Sequence, residues 1–161
     1  MAKRIDPATL PVISGTLYPA PFDAPCRARH RTRLADAAGL SQYGVNLVRL
    51  EPGAWSSQRH WHLAQEEFIY ILSGEVTLVT NAGEEVLRAG DCAGFLANDG
   101  DGHHLQNRSG GDVTFLEIGT RLPQDGANYP DIDMKVPPQA PPGTYAHRDG
   151  TPYPQQERRG T

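Results

Sequence analysis

Apolar and polar residues alternate in short runs through the middle of the chain. VNLVRL (45–50), EFIYIL (67–72), EVTLVT (75–80), EEVLR (84–88), CAGFL (92–96), HHLQN (103–107) and VTFLEIG (113–119) each read as a β-strand. The segments between them, EPG, SG, NAG, AGD, NDGDG and SGGD, are rich in the residues that make tight turns. Proline recurs up to Pro52, is absent from 53 to 122 and returns at Pro123. Because proline removes a ladder donor, a continuous sheet belongs in that gap. Short strands at this spacing predict an all-β sandwich or barrel of antiparallel strands, with no room for a parallel βαβ layout. The one helix candidate is RTRLADAAGL (31–40), ended by Gly39.

The flanks differ in kind. Residues 1–43 are expected to form an N-terminal arm and strands packed on a barrel core at 44–122, and 123–161 to form a Pro/Gly-rich C-terminal arm on the barrel or a partner subunit. At 161 residues the chain accommodates one core. Its formal charge of −4 gives no general attraction to nucleic acid or anionic membrane, and both are excluded as expected partners. No apolar run approaches a membrane span and no leader-like segment opens the chain, so a cytoplasmic location is expected. Cys26 and Cys92 are too few for a disulfide scaffold, and each is expected to be a buried or half-buried packing thiol.

Chemistry concentrates in RHWHLAQEEF (59–68). On a strand, side chains at i and i+2 share a face, so His60 and His62 project together with Trp61 opposite. A turn further on, a carboxylate opens the strand EFIYIL. Imidazole nitrogen and carboxylate oxygen suit divalent transition ions such as Mn, Fe, Ni or Zn. A fourth donor appears in GDGHHLQN, where alternation points only one of His103 and His104 inward without saying which.

Two segments, GAWSSQRHWHLAQEEFIYILSG and GDCAGFLANDGDGHHLQN, resemble the paired motifs of the cupins, small β-barrels of the jelly-roll type. Gly53, His60, His62, Glu67 and Gly74 match the first motif, and Gly90, His103 and Asn107 the second. The gap of six residues to Gly74 selects Glu67 over Glu66, and the gap of three to Asn107 selects His103 over His104. Leu96 and Asn98 stand where the family commonly has proline and glycine, and NDGDG is longer than the usual turn. The resemblance, over roughly residues 44–120, implies a cupin jelly-roll barrel with His60, His62, Glu67 and His103 each giving one metal ligand and one or two positions left open. It implies a metal-dependent enzyme on a small polar metabolite, a carboxylate or sugar derivative, or alternatively a non-catalytic small-molecule-binding or sensing module. Comparable stand-alone cupins have been named sugar-phosphate isomerases by fold analogy. A homodimer is expected from the same analogy and from the long arms.

Other features have plainer readings. Arg27, Arg29, Arg31 and Arg33 are spaced by two and share a face in an extended chain; they could clamp an anion, but a solvated, charge-protected edge strand is the favoured reading. Asp99 and Asp101 read as turn chemistry rather than a calcium loop, and the NRS triplet at 107–109 as an accidental match to a glycosylation pattern. Phe68 and Tyr70 are expected to face away from the barrel interior. Glu66, Tyr70, His104 and Glu117 are the acid–base candidates beyond the ligands, with alternation turning several of them outward.

Overall fold

The protein is described by a computed structural model covering residues 4–160. Among these residues the N-terminal half contributes β1 (Ile13–Ser14), β2 (Arg29–Arg33), the short helix α1 (Leu34–Ala38), β3 (Tyr43–Leu50), β4 (Trp61–His62), β5 (Glu67–Ser73) and β6 (Glu75–Thr80). Then come β7 (Gly83–Arg88), β8 (Cys92–Phe95), β9 (His104–Gln106), β10 (Val113–Thr120), β11 (Ala127–Tyr129) and β12 (Met134–Val136). All pairings are antiparallel. One sheet runs β1-β2-β3-β10-β5-β8. The other is made of β7-β6-β9 and β4-β11-β12, joined by the bridges Trp55↔Gln106 and His60↔His103. This is the jelly-roll barrel.

Alternation decides the faces. Along β5, Ile69 and Ile71 are buried while Phe68, Tyr70 and Leu72 are exposed, so the period-two pattern seen in the sequence faces the barrel interior with its aliphatic set. Val48 and Leu50 of β3, Val113 and Phe115 of β10, and Val76, Leu78, Leu87 and Leu105 of the opposing sheet close the core from both sides. Each such side chain contributes about 1.5–3 kcal/mol by leaving water. Gly74 turns β5 into β6 at φ 82°, and a Cβ there would lie 2.6 Å from the Asp112 carbonyl oxygen, so only glycine fits. Asn98, at the family's usual glycine position, takes φ 57°, a left-handed conformation that asparagine tolerates better than most residues. Asn107 is buried and donates to the Leu50 and Gly111 carbonyls, fastening the loop after β9 to the core.

The flanks supply strands as well. The helix predicted over 31–40 is shorter than expected: Arg31 to Arg33 belong to β2, and only Leu34–Ala38 are helical, with Gly39 capping at φ 76°. β2 lies between β1 and β3, so the favoured edge-strand reading of its arginines is overturned. β11 pairs with β4, and a second core forms where Ala127, Tyr129 and Met134 meet Tyr18 and Cys26 of the N-terminal segment. The chain end returns to Thr16, which exchanges two backbone hydrogen bonds of 2.9 Å with Arg159. Cys26 is buried as expected, but Cys92 is exposed: it pairs with Tyr70 on the outward face of the large sheet. No helix among the described residues is long and apolar enough to cross a membrane.

Candidate metal centre and cavity

His60 and His103 lie directly opposite each other and exchange backbone hydrogen bonds of 3.2 and 2.8 Å, which puts both side chains on one face. His62, two residues on in β4, shares it. Glu67 opens β5 on the opposing sheet and reaches across. The donors converge: His60 Nε2 is 3.1 Å from His62 Nε2, and Glu67 Oε2 is 2.9 Å from His103 Nε2, 3.5 Å from His62 Nε2 and 3.8 Å from His60 Nε2. His104 points away, with Nδ1 against the Ser57 carbonyl at 2.9 Å and its ring edge-on to Trp55. The ambiguity between the adjacent histidines is thereby resolved in favour of His103 as the inward one. Glu66 is exposed, so of the two glutamates only Glu67 reaches the cluster.

The hydrogen bonds around the rings show what the cluster suits. His60 Nδ1 lies 2.9 Å from the Gln58 carbonyl oxygen, which can only accept, so Nδ1 carries the proton. His62 Nδ1 lies 2.6 Å from Asp125 Oδ2 and donates to that carboxylate. In the neutral rings both Nε2 atoms then present lone pairs to each other across 3.1 Å, an arrangement that a divalent ion between them, or a proton on His62, makes favourable. Ligand atoms bound at about 2.1 Å are roughly 3.0 Å apart in octahedral and roughly 3.4 Å apart in tetrahedral coordination. The separations among His60, His62 and Glu67, 3.1 to 3.8 Å, span those values, so these three residues fit a divalent ion, with His103 bonded to Glu67 at 2.9 Å beside them.

Charge follows the same geometry. Burial, against the pull of Glu67, holds His60 down to about 3. Burial opposes a charged His62 as well, but the Asp125 and Glu67 carboxylates outweigh it and raise its pKa. Burial would push Glu67 up; the bond to His103 and the neighbouring His62 and His60 override it and hold the carboxyl well below its usual range. Asp125 Oδ1 also accepts from the Ala64 and Gln65 amides at 2.8 and 3.1 Å, locking the carboxylate behind His62. Phe95 stacks on His103 at 3.6 Å between centroids, fixing that ring's plane.

The cluster opens into a cavity of about 640 Å³, a volume suited to a small metabolite. In the register of the large sheet Glu67 faces Gly119, which faces Gly44, so one row of the floor carries no side chains beyond Glu67. In the next row Glu117 faces Asn46, which faces Arg33. Of the four acid–base candidates only Glu117 lines this cavity; Tyr70 is on the outer face and His104 is turned away. Arg29 and Arg31 also line it, whereas Arg27 pairs with Asp23 at 2.8 Å outside. Asp99 and Asp101 act in turns, Asp101 accepting from the Asn81 amide at 2.7 Å. Sequence reasoning missed Asp125 and Arg158, which come from the C-terminal flank and carry no motif.

The fold is that of a small single-barrel protein, and His60, His62 and Glu67 form a cluster that could hold a divalent ion. Residues 46–119 match the Cupin domain family. A cupin-superfamily sugar phosphate isomerase from Silicibacter pomeroyi is 43% identical, with a TM-score of 0.89 over 94% of this chain and 97% of that one. The chain therefore belongs to the cupin superfamily. A candidate sugar phosphate isomerase from Acidithiobacillus ferrooxidans is 32% identical over 72% of this chain and 74% of its own, with a TM-score of 0.64. The polyketide cyclase RemF from Streptomyces resistomycificus, at 19% identity and a TM-score of 0.60 over 74% of this chain and 80% of its own, shares the fold alone. The chain matches no functionally curated protein.

Proposed function

We propose that the protein is a metal-dependent enzyme acting on a small polar metabolite, a sugar derivative, with isomerisation as the reaction class. The observation that carries this reading is the convergence of His60, His62 and Glu67 at the wall of the 640 Å³ cavity, with His103 bonded to Glu67 beside them. These residues would hold a divalent transition ion, Mn, Fe, Ni or Zn, which when bound supplies a Lewis acid for a carbonyl or hydroxyl oxygen. Gly44 and Gly119 bring no side chain of their own to the floor, and the Arg121 guanidinium lies over Gly44. Glu117, held by Asn46 at 2.9 Å and Arg31 at 3.0 Å, is the carboxylate placed to take up a proton from one carbon and return it to the next. Such a transfer needs no external oxidant or reductant. The names of the two proteins 43% and 32% identical support the reaction class. A cytoplasmic setting accords with the two free cysteines.

Elemental analysis of the native protein and of the His60→Ala, His103→Ala double variant tests the metal. Failure to reach near-stoichiometric metal after reconstitution with Mn, Fe, Ni and Zn overturns the reading. The loaded protein is then incubated with a panel of sugars and sugar phosphates in deuterium oxide. Deuterium entering at the carbon beside the carbonyl is the expected result; binding without exchange or conversion across the panel identifies a sensing module instead.

A further inference from the structure

The arginine stripe of β2 is the feature that the metal centre does not explain. Its register opposite β3 pairs Arg29 with Leu50, Arg31 with Val48 and Arg33 with Asn46, so all three leave the backbone on the buried, concave face. Arg121 and Arg158 join them, and the cavity is lined by five arginines against Asp36, Glu67 and Glu117, an excess of two positive charges. Arg33 and Arg121 share Asp36, and Arg31 pairs with Glu117. Arg29 and Arg158 have no carboxylate partner among the described residues of the cavity; both donate to the Gly15 carbonyl, at 3.2 and 3.1 Å, and Arg29 also to that of Ser56.

Two donors are left over. Nε of Arg29 and Nε of Arg31 are buried without a hydrogen-bond partner. Buried guanidinium groups are ordinarily satisfied, because leaving a charged donor desolvated and unpaired is costly. Burial and the neighbouring Arg31 both press Arg29 toward losing its charge, and burial with Arg31 and Arg33 does the same to Arg158. The group that relieves all of this is an anion with several acceptor oxygens, and the excess of two charges matches a dianion.

We propose that Arg29, Arg31 and Arg158 form a phosphate-binding subsite of this cavity, which takes the phosphoryl group of a phosphorylated metabolite whose other end reaches the metal centre. The second half of that statement rests on the function proposed above; the first half does not. Arg158 comes from the chain end that the Thr16–Arg159 backbone pair brings back to the barrel, so the subsite is closed by the C-terminal flank.

Titration calorimetry of inorganic phosphate into the metal-stripped full chain at low ionic strength tests the subsite by itself. The unmodified protein is expected to bind, and Arg31→Gln and Arg158→Gln each to weaken binding roughly tenfold or more, as the loss of a charge-assisted contact to phosphate requires. Arg108→Gln, whose side chain pairs with Glu84 on the outer surface, is expected to leave it unchanged. Arg158→Gln lies near the chain end and is informative even if Arg31→Gln fails to fold. No binding, binding untouched by Arg158→Gln, or binding only when metal is loaded overturns the subsite. Metal-loaded protein is then titrated with glucose 6-phosphate and ribose 5-phosphate against glucose and ribose. A preference for the phosphorylated sugars that Arg158→Gln abolishes supports the substrate assignment. Phosphate binding with no gain for either sugar phosphate over inorganic phosphate overturns that assignment and leaves a free-phosphate site. Failure of metal loading with phosphate binding intact sinks the metal reading alone.

Discussion

Replacing Asp125 by asparagine changes one atom and should disable the metal centre through the tautomer of His62. In the native arrangement Oδ1 accepts from the Ala64 and Gln65 amides while Oδ2, 2.6 Å from His62 Nδ1, takes that ring's proton. The two amides can only donate, so the asparagine oxygen must stay on them, and its NH2 group faces His62. A donor then meets Nδ1, and the ring can satisfy it only by moving its own proton to Nε2, the atom that points at His60 and Glu67. The lone pair needed for the ion is gone unless the amide flips and forfeits two backbone hydrogen bonds at about 1 kcal/mol each. Loss of a carboxylate behind a ligating histidine lowers metal affinity about 10- to 100-fold, which corresponds to roughly 1.4–2.8 kcal/mol of binding free energy. Competition with a chromophoric chelator for zinc and nickel measures this, with circular dichroism as the control for folding. Affinities within twofold of the unmodified protein, in a folded variant, refute the argument.

Further outcomes follow from other parts of the molecule. In the metal-free protein an unfolded histidine takes a proton near 6.5 whereas His60 resists it until about 3, so the unfolded state binds more protons and stability falls as pH drops through that window. The lowered Glu67 works in the same direction below its unfolded value and the raised His62 in the opposite one. Scanning calorimetry should therefore show Tm declining on acidification, less steeply in His60→Gln; a Tm that rises refutes it. Phe115→Ala, at 1% exposure between β3 and β5, should cost about 3–5 kcal/mol in urea unfolding, and a midpoint shift worth under about 1 kcal/mol would contradict the assigned core. Burial pushes the Cys26 thiol up to about 12, so a thiol reagent should titrate Cys92 at once and Cys26 only on unfolding; two fast equivalents would disprove this. A homodimer is the expected assembly, with exposed Phe68, Tyr70 and Leu72 on the outer face of β5 as the surface it would cover, and light scattering that finds a monomer at micromolar concentration refutes it.

The central barrel was legible because alternation along β5 and at the start of β10 matches the burial of Ile69, Ile71, Val113 and Phe115, and because glycines mark turns between the strands. The convergence of His60, His62 and Glu67 was legible through i,i+2 parity and motif spacing, both local. What sequence left dark was nonlocal or ambiguous in sign. Arg29 and Arg31 alternate with His30 and Thr32, and a polar–polar alternation does not say whether its face meets solvent or a cavity; only pairing with Val48 and Leu50 does. Asp125 lies 63 residues from the ring it holds and sits in a Pro/Gly-rich flank. β11 and β12, each three residues long, are too short to show a period. Cys92 was misplaced because its burial was inferred from residue type, whereas its register beside Tyr70 turns it outward.

The cavity has a divided ancestry within the chain. All four candidate donors fall inside residues 46–119, the stretch common to the family, while Arg29, Arg31, Tyr145 and Arg158 enter the cavity wall from the flanks and Asp125 reaches His62 from behind. A chain trimmed to that barrel would keep its four donors and lose most of the wall that a metabolite touches. The flanks thus supply most of the cavity wall and also the carboxylate behind His62, so exchanging terminal segments between relatives would retarget the pocket only if Asp125 were carried along to keep that ring in place.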